Sequence, residues 1–400
     1  MRSETLPSIG RASSPRETGS PIAVVGGSAA GLFTALLLAR GGRSVRVFER
    51  SETIAPAART LIVTHRVRDL LGSAAERSIV NEIRRFELFT DGRSASFHLN
   101  RPDLIIERRA VIQSLADEAR IAGADIALGR RFHALHPNGE GVTLEIKDCS
   151  NRSNEEVRAR TVVAADGVSS RVARAAGWAP VETVPLVQAL VPLPKDMSPD
   201  TARIWFIPHE TPYFYWLIPE SPTRGALGLI GDSGPAVRQH LENFLEKRKL
   251  DPIEFQGSRV PAYSRWIPVR RKLGPGDVYV VGDAAGQVKV TTVGGIVTGF
   301  RGALGVAQAI LHGANRELRA LRRELDLHLL LRRSLHHFQQ TDYSQLVDLL
   351  NDPARQSLSC YSRDDAWKVL WNVCLRQPRL ILLGIRGLLM RGASSRVAND

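Results

Sequence analysis

The 400-residue sequence predicts an α/β chain: a domain with a parallel, doubly wound sheet, an inserted and mostly antiparallel β domain, and a helical C-terminal region. Three observations carry this. First, a short apolar run, a glycine-rich turn and a helical pattern follow one another in "PIAVVGGSAAGLFTALLLARGG", and an alternating strand, "SVRVFER", comes next. Such a βαβ opening is the unit of parallel sheets. Second, two more buried-strand runs, at 159–167 and 277–286, end in "ADG" and "VGD" turns. Third, strand-like runs fill residues 180–270, and the pattern is mostly helical from about 298 onward.

In chain order, "IAVVGG" (22–27) reads as a buried strand and "SAAGLFTALLLARGG" (28–42) as a helix closed by Gly41-Gly42. Residues 44–50 alternate apolar and polar, as a second strand does. "FELFTDGRSASFHL" (86–99) reads as a hairpin turning at Asp91-Gly92, and "RRAVIQSLADEARIAG" (108–123) as an amphipathic helix closed by Gly123. "GVTLEI" (141–146) and "ARTVVAADG" (159–167) are strands joined by polar "KDCSNRSNEE". The runs "ARIWFI" and "YFYWLIP" are strand-like, and a helix at 236–250 interrupts that region. The division expected is a disordered leader at 1–20 and a discontinuous nucleotide-binding domain at 21–80, 100–180 and 270–315. Residues 81–99 and 181–269 form the substrate domain, and 316–400 the helical C-terminal region.

Composition narrows the class. The leader is polar and Ser-, Arg- and Pro-rich, without the apolar core of a signal peptide. No run of about 18 apolar residues occurs, so no transmembrane helix is expected. Cys149, Cys360 and Cys374 are far apart, which excludes a disulfide framework and a CxxC pair and suits a reducing, cytoplasmic setting. No metal site is expected. The net charge of +13 comes from scattered arginines, with no nucleic-acid-binding signature, so nucleic acid is not an expected partner.

The chemistry lies in three turns. In Gly26-Gly27-Ser28-Ala29-Ala30-Gly31, Gly26 suits the tight bend after the strand and Gly31 the close helix–strand packing of a dinucleotide turn. Ser28 stands where glycine is usual. The helix start offers free N–H groups and its dipole to phosphates. Glu49, with Arg50 beside it, ends the second strand, where an acid accepts hydrogen bonds from ribose hydroxyls. The second turn is Asp166-Gly167, followed by small residues and Arg171. The third is Gly282-Asp283, followed by small residues and then Gly294-Gly295 at a helix start. Each alone could be a strand-end Asp capping a turn; three in this order are harder to explain that way.

Together these motifs, over about residues 21–310, resemble the para-hydroxybenzoate-hydroxylase-like class of FAD enzymes, and the fold implied is Rossmann-like. The resemblance implies FAD as cofactor, Asp283 on its ribityl chain, and Gly294, Gly295 and Ile296 at a helix start aimed at the flavin ring. It also implies that Arg108 approaches the FAD. Within that class, "GDAAGQVKVTTVGGI" is similar to the geranylgeranyl reductase branch, with Val290 and Val293 where relatives have proline and glycine. In "TPYFYWLIPES", Phe214, Trp216 and Pro219 fall on the spacing of that branch's cavity-lining strand, with Ile218 in place of Phe. Alternate aromatics on a strand share one face, which lines a cavity or packs in the sheet core. Arg59-Thr60 stand where some members carry a cysteine near the flavin. Lys289 follows the third turn, and His65 is a lone histidine with no partner motif.

The resemblance implies a flavin-dependent reductase of C=C bonds in an isoprenoid or similarly apolar substrate. Only one dinucleotide turn is present, so NAD(P)H would bind transiently, or a reduced partner would donate electrons. The rivals are an FAD monooxygenase or halogenase of secondary metabolism, and a non-catalytic flavin- or lipid-binding protein. Residues 366–392 mix Trp367, Trp371 and many Leu with Arg376, Arg379, Arg386 and Arg391, with Pro378 as a break. That pattern suits either a helix peripheral to an anionic membrane or one packed over the substrate domain.

Overall fold

The computed structural model describes residues 20–151 and 153–389; the leader short of Ser20, and Arg391, lie outside them. The first sheet has the strand order Arg270–Leu273, Gly276–Val280, Thr161–Ala164, Ile22–Val25, Val45–Phe48 and Asp125–Ala127. All its pairings are parallel except the first, which is antiparallel. The central strand Ile22–Val25 is buried along its length, as a strand covered on both faces must be. The helix Ala29–Arg40 packs on one face together with Ile296–His312, where Phe33 and Phe300 meet edge to face at 5.3 Å.

Against this domain stands an eight-stranded sheet, ordered Glu254–Pro261, Thr183–Pro192, Arg224–Ile230, Tyr215–Pro219, Thr201–Trp205, Ile79–Thr90, Arg93–Glu107 and Thr60–Val63. It is antiparallel except where Thr201–Trp205 runs parallel to Ile79–Thr90. The hairpin turns at Asp91-Gly92, both with positive φ (40° and 72°), the geometry of a type I′ turn. Its strands run well past 86–99. Buried Leu104, Ile105 and Ile106 continue the second arm to Glu107, and Thr60–Val63 pairs beside it. Residues 60–63 and 100–107 therefore sit in the large sheet, not the first domain where the sequence pattern placed them.

A third, antiparallel sheet joins Arg130–Pro137, Val142–Asp148 and Asn154–Ala159. The strand expected at 159–167 is present as Thr161–Ala164 in the parallel sheet, whereas the end of the polar stretch read as a connector belongs to a further strand, Asn154–Ala159, in this small sheet. Arg160, whose carbonyl accepts from Asp277 N–H, marks the change of sheet.

The C-terminal region is helical as expected. Helices Arg316–Leu335, Gln340–Asp348, Asp352–Cys360, Ala366–Arg376 and Arg379–Leu389 pack along the large sheet and one another. The break at Gln377-Pro378 falls where proline removes an N–H donor. Among the described residues no helix is long and apolar enough to cross a membrane.

Packing dictates glycine at position 302, within the helix Ile296–His312. A Cβ on Gly302 would lie 1.9 Å from Gln287 Oε1, which accepts from Gly282 N–H at 2.8 Å. Gly302→Ala should therefore destabilise the fold by about 1–3 kcal/mol in urea unfolding. Gly384→Ala, where the nearest atom to the new carbon lies 4.0 Å away, should be neutral or up to about 1 kcal/mol stabilising through helix propensity.

Candidate active site

The three turns meet at the C-terminal ends of the parallel strands. Gly26 has φ 106°, and a Cβ there would sit 2.4 Å from the Ala165 carbonyl oxygen. A Cβ on Gly31 would lie 2.3 Å from Gly26 O and 2.8 Å from Ala165 Cβ. The first turn is thus pressed onto the residue preceding Asp166, and only glycine permits it. Ser28 is the N-cap of the first helix, its Oγ accepting from Gly31 N–H at 3.2 Å. A side chain in place of the usual glycine therefore fastens the helix whose start faces the cleft. Ala29 lies at that start and Ala30 is buried behind it.

Glu49 holds the other side of the turn. Its Oε2 accepts from Gly27 N–H at 2.7 Å and its Oε1 from Ser51 N–H at 2.9 Å. Each carboxylate oxygen retains a lone pair for a hydroxyl donor. Arg50 is exposed beside it. Asp166 is bound within its own segment, accepting from Ser170 Oγ at 2.5 Å and from Arg171 and Val172 N–H at 2.8 and 3.3 Å. It caps the short helix Arg171–Ala175, and Gly167, at φ 84°, turns the chain toward it.

The third turn closes the arrangement. A Cβ on Gly282 (φ 63°) would lie 2.9 Å from Ala30 Cβ, and the Gly295 Cβ position is 3.5 Å from Asp283 Oδ1. Asp283 therefore stands between the first helix and the start of Ile296–His312, whose N-cap Gly295 supplies no capping side chain. The first-turn amides at Ile296 are left for an acceptor beyond the helix. The Asp283 side chain reaches solvent, but the protein crowded around it pushes its carboxyl up, opposed by the charge of Arg108. Arg108 N–H bonds the Arg59 carbonyl at 2.9 Å. Burial, then the nearby Arg108, pushes the Arg59 guanidinium down, and its Nε is buried without a hydrogen-bond partner among the described residues. Two guanidinium groups, helix starts and an acidic acceptor make a donor set that fits a dinucleotide with anionic phosphates and free hydroxyls.

Behind the Gly294-Gly295 loop lies a buried ionic cluster that sequence reasoning missed. Lys289 Nζ pairs with Asp364, and Thr64 Oγ1 donates to the same carboxylate. Burial opposes the charge on Asp364, but Lys289 and the two hydrogen bonds overcome it and hold the carboxyl well below the usual range. Arg363 pairs with Asp103. His328 accepts or donates at Thr291 Oγ1, 2.7 Å away, and burial, helped by Lys289, pushes it down to about 3, so it is neutral at physiological pH. His65 is likewise pushed down, by burial and by Arg101. The motif pointed to Lys289, but Asp364 lies 75 residues further on, in a stretch with no signal of its own.

Val293 stands out in the same loop. Its φ of 50° is one that a β-branched residue rarely adopts, and of order 1–3 kcal/mol of strain accompanies such a backbone. Its side chain joins Phe206, Phe214 and Ile218 around the apolar cluster that includes buried Trp216. The Trp216 ring covers Gly228, where a Cβ would lie 2.6 Å from it. Trp216 is therefore largely covered by the sheet, whereas Phe214 is half-buried.

The FAD binding domain family matches residues 20–317. The chain belongs to that family. It is similar to digeranylgeranylglycerophospholipid reductase 2 of Methanothermobacter thermautotrophicus, 33% identical over 206 residues, 48% of this chain and 51% of that protein. The match thus spans about half that relative's length. It is 29% identical over 297 residues to digeranylgeranylglycerophospholipid reductase 2 of Methanopyrus kandleri, covering 69% of this chain and 73% of that one. A geranylgeranyl bacteriochlorophyll reductase-like structure from Thermoplasma acidophilum superposes with TM-score 0.75 at 19% identity, over 90% of this chain and 97% of that one. A flavin-dependent halogenase superposes with TM-score 0.60 at 17% identity, over 89% and 70%, and shares the fold. The chain is thus an FAD-dependent flavoprotein, similar in sequence to these reductases.

Two outcomes follow for the flavoprotein. Gly26→Ala forces a carbon against the Ala165 carbonyl, so the purified variant should lose most of its flavin absorbance. Asp364→Asn leaves Lys289 buried without a counter-charge and should cost about 3–5 kcal/mol of stability at pH 7. Because the Asp364 carboxyl is held down in the fold, its contribution is present above the ordinary carboxylate value near 4 and is lost as pH falls below it. Urea midpoints across pH should show that loss in the parent and a flatter profile in Asp364→Asn.

Proposed function

We propose that this flavoprotein reduces C=C bonds of an isoprenoid or similarly apolar substrate, with electrons from NAD(P)H bound transiently or from a reduced partner. The observation that carries this reading is the loop 293–295. It joins the start of Ile296–His312, which has no capping side chain, to an apolar, aromatic sheet face. The names of the relatives, reductases of digeranylgeranylglycerophospholipid, agree with it.

In this reading FAD, once reduced, would supply a hydride equivalent to one carbon of the double bond, and a proton from solvent would reach the other. The chain does the rest. The turn at Gly26, Ser28, Ala29, Ala30 and Gly31 would hold the pyrophosphate, with Glu49 and Arg50 at the adenosine end. Asp166 and Gly167 shape the wall through Ala165. Asp283 would accept from the ribityl hydroxyls, and Arg108 and Arg59 would offset negative charge. The helix start at Gly294, Gly295 and Ile296 would favour negative charge on the ring. Phe214, Ile218 and Val293 form the apolar wall that keeps water from the reacting carbons, with Trp216 supporting it. His65 and His328 are neutral at pH 7 and hold no proton to give as imidazolium.

Anaerobic single turnover tests the reading. Chemically reduced enzyme mixed with a phospholipid bearing unsaturated prenyl chains should yield saturated product without oxygen, as the flavin reoxidises. Product that forms only when oxygen is admitted would establish a monooxygenase or halogenase instead. Flavin that no donor reduces at a useful rate would mark a non-catalytic binder.

A further inference from the structure

Large exposed apolar side chains are concentrated at the end of the described chain. Trp371, Leu375, Leu382 and Leu389 are each more than half exposed, and Trp367 and Ile385 are exposed beside them. They follow helical spacing. Trp367, Trp371 and Leu375 recur every fourth residue on Ala366–Arg376, and Leu382, Ile385 and Leu389 form a face of Arg379–Leu389. The opposite sides are used: Val373, Leu383 and Gly387 are buried against the fold. Trp367 and Trp371 stack at 6.2 Å. These faces are therefore built and held in place, yet turned to solvent.

Charge decides what covers them. Residues 366–389 contain Lys368, Arg376, Arg379 and Arg386 and no Asp or Glu. Lys368 lies 3.6 Å from Asp365 and Arg386 3.4 Å from Asp342, while Arg376 bonds the Pro353 carbonyl and Gln356. A second copy set face to face would bring two such basic segments together. A surface of negative headgroups over hydrocarbon matches both features, since Trp and Leu enter the interface while Lys and Arg stay at the phosphates.

The base of the segment is fastened to the site. Asp364 and Arg363, directly before the first helix, pair with Lys289 and Asp103. We propose that helices Ala366–Arg376 and Arg379–Leu389 dock the protein, without spanning it, on an anionic lipid bilayer, with the cofactor-facing loop tied to the docking element. This stands apart from the reductase reading, because it rests on exposure and charge alone.

The test is sedimentation of the flavin-loaded, full-length protein with vesicles. Binding should be at least tenfold tighter to phosphatidylglycerol–phosphatidylcholine vesicles than to phosphatidylcholine alone, and should weaken with salt. Trp371→Glu combined with Leu382→Glu should lower anionic-vesicle affinity at least tenfold while flavin content and urea midpoint stay unchanged, since both sites are exposed. Arg379→Gln with Lys368→Gln should remove most of the preference for anionic lipid. Equal binding by the parent and the Trp371→Glu/Leu382→Glu variant, or no binding by the parent, overturns the proposal. So does a lipid-free dimer that the same pair of substitutions dissolves, which would make the face a contact between copies.

Discussion

The site depends on one close approach. The backbone at Gly26 is pressed against the Ala165 carbonyl, where even a methyl group would sit 2.4 Å from the oxygen, and Gly31 completes the contact from the first helix. The first strand and the strand Thr161–Ala164 are neighbours in the sheet. Their ends can share a cleft only if nothing stands between the two turns. Once they touch, the start of the first helix is fixed, and the contact of Gly282 with Ala30 brings in the third turn. A cleft suited to a pyrophosphate is thus made from backbone geometry and helix starts. The charged side chains Glu49, Arg108 and Asp283 are added at its edges.

A second constraint acts from behind. Lys289, Asp364 and Thr64 bury charge and hydrogen bonds where packed apolar residues would hold the fold at least as well. What the ionic cluster does is join separate parts of the chain. It ties the Gly294-Gly295 loop to the C-terminal helices, and the ion pair of Arg363 with Asp103 ties those helices to the large sheet. The loop is thereby held in a backbone that Val293 adopts only under strain. Rigid support of this kind is what a flavin edge and an apolar substrate face need if they are to meet at a fixed distance.

Much of this was legible in the residues because local physics dictated it. The βαβ opening, the Asp91-Gly92 turn, the Gly41-Gly42 helix end and the break at Pro378 each follow from conformational preferences that tertiary contacts did not override. The three glycine-bearing turns were legible as one site because each needs glycine for a distinct steric reason. Ser28 departs from the usual glycine, and its value as an N-cap appears only when the Gly31 amide is seen beside it. The sheet boundaries were less legible. Thr60–Val63 and residues 100–107 carry ordinary strand patterns, and only long-range pairing shows which sheet takes them. The change of sheet at Arg160 is not marked by a glycine or proline in "NEEVRARTVVA". Asp364 and Arg59 had no motif, because a buried counter-charge and a buried unpaired guanidinium nitrogen are properties of the fold.

The central claim is that this cofactor site serves saturation of an apolar chain rather than insertion of oxygen. Isotopic composition of the product tests it most directly. With the prenyl-chain phospholipid as substrate, turnover in deuterated water under an atmosphere of ¹⁸O₂ labels both pathways at once. The account predicts product carrying solvent-derived deuterium on the carbons of the former double bond and no ¹⁸O. Product that carries ¹⁸O and keeps its double bond count, or loses it to an epoxide, would contradict it.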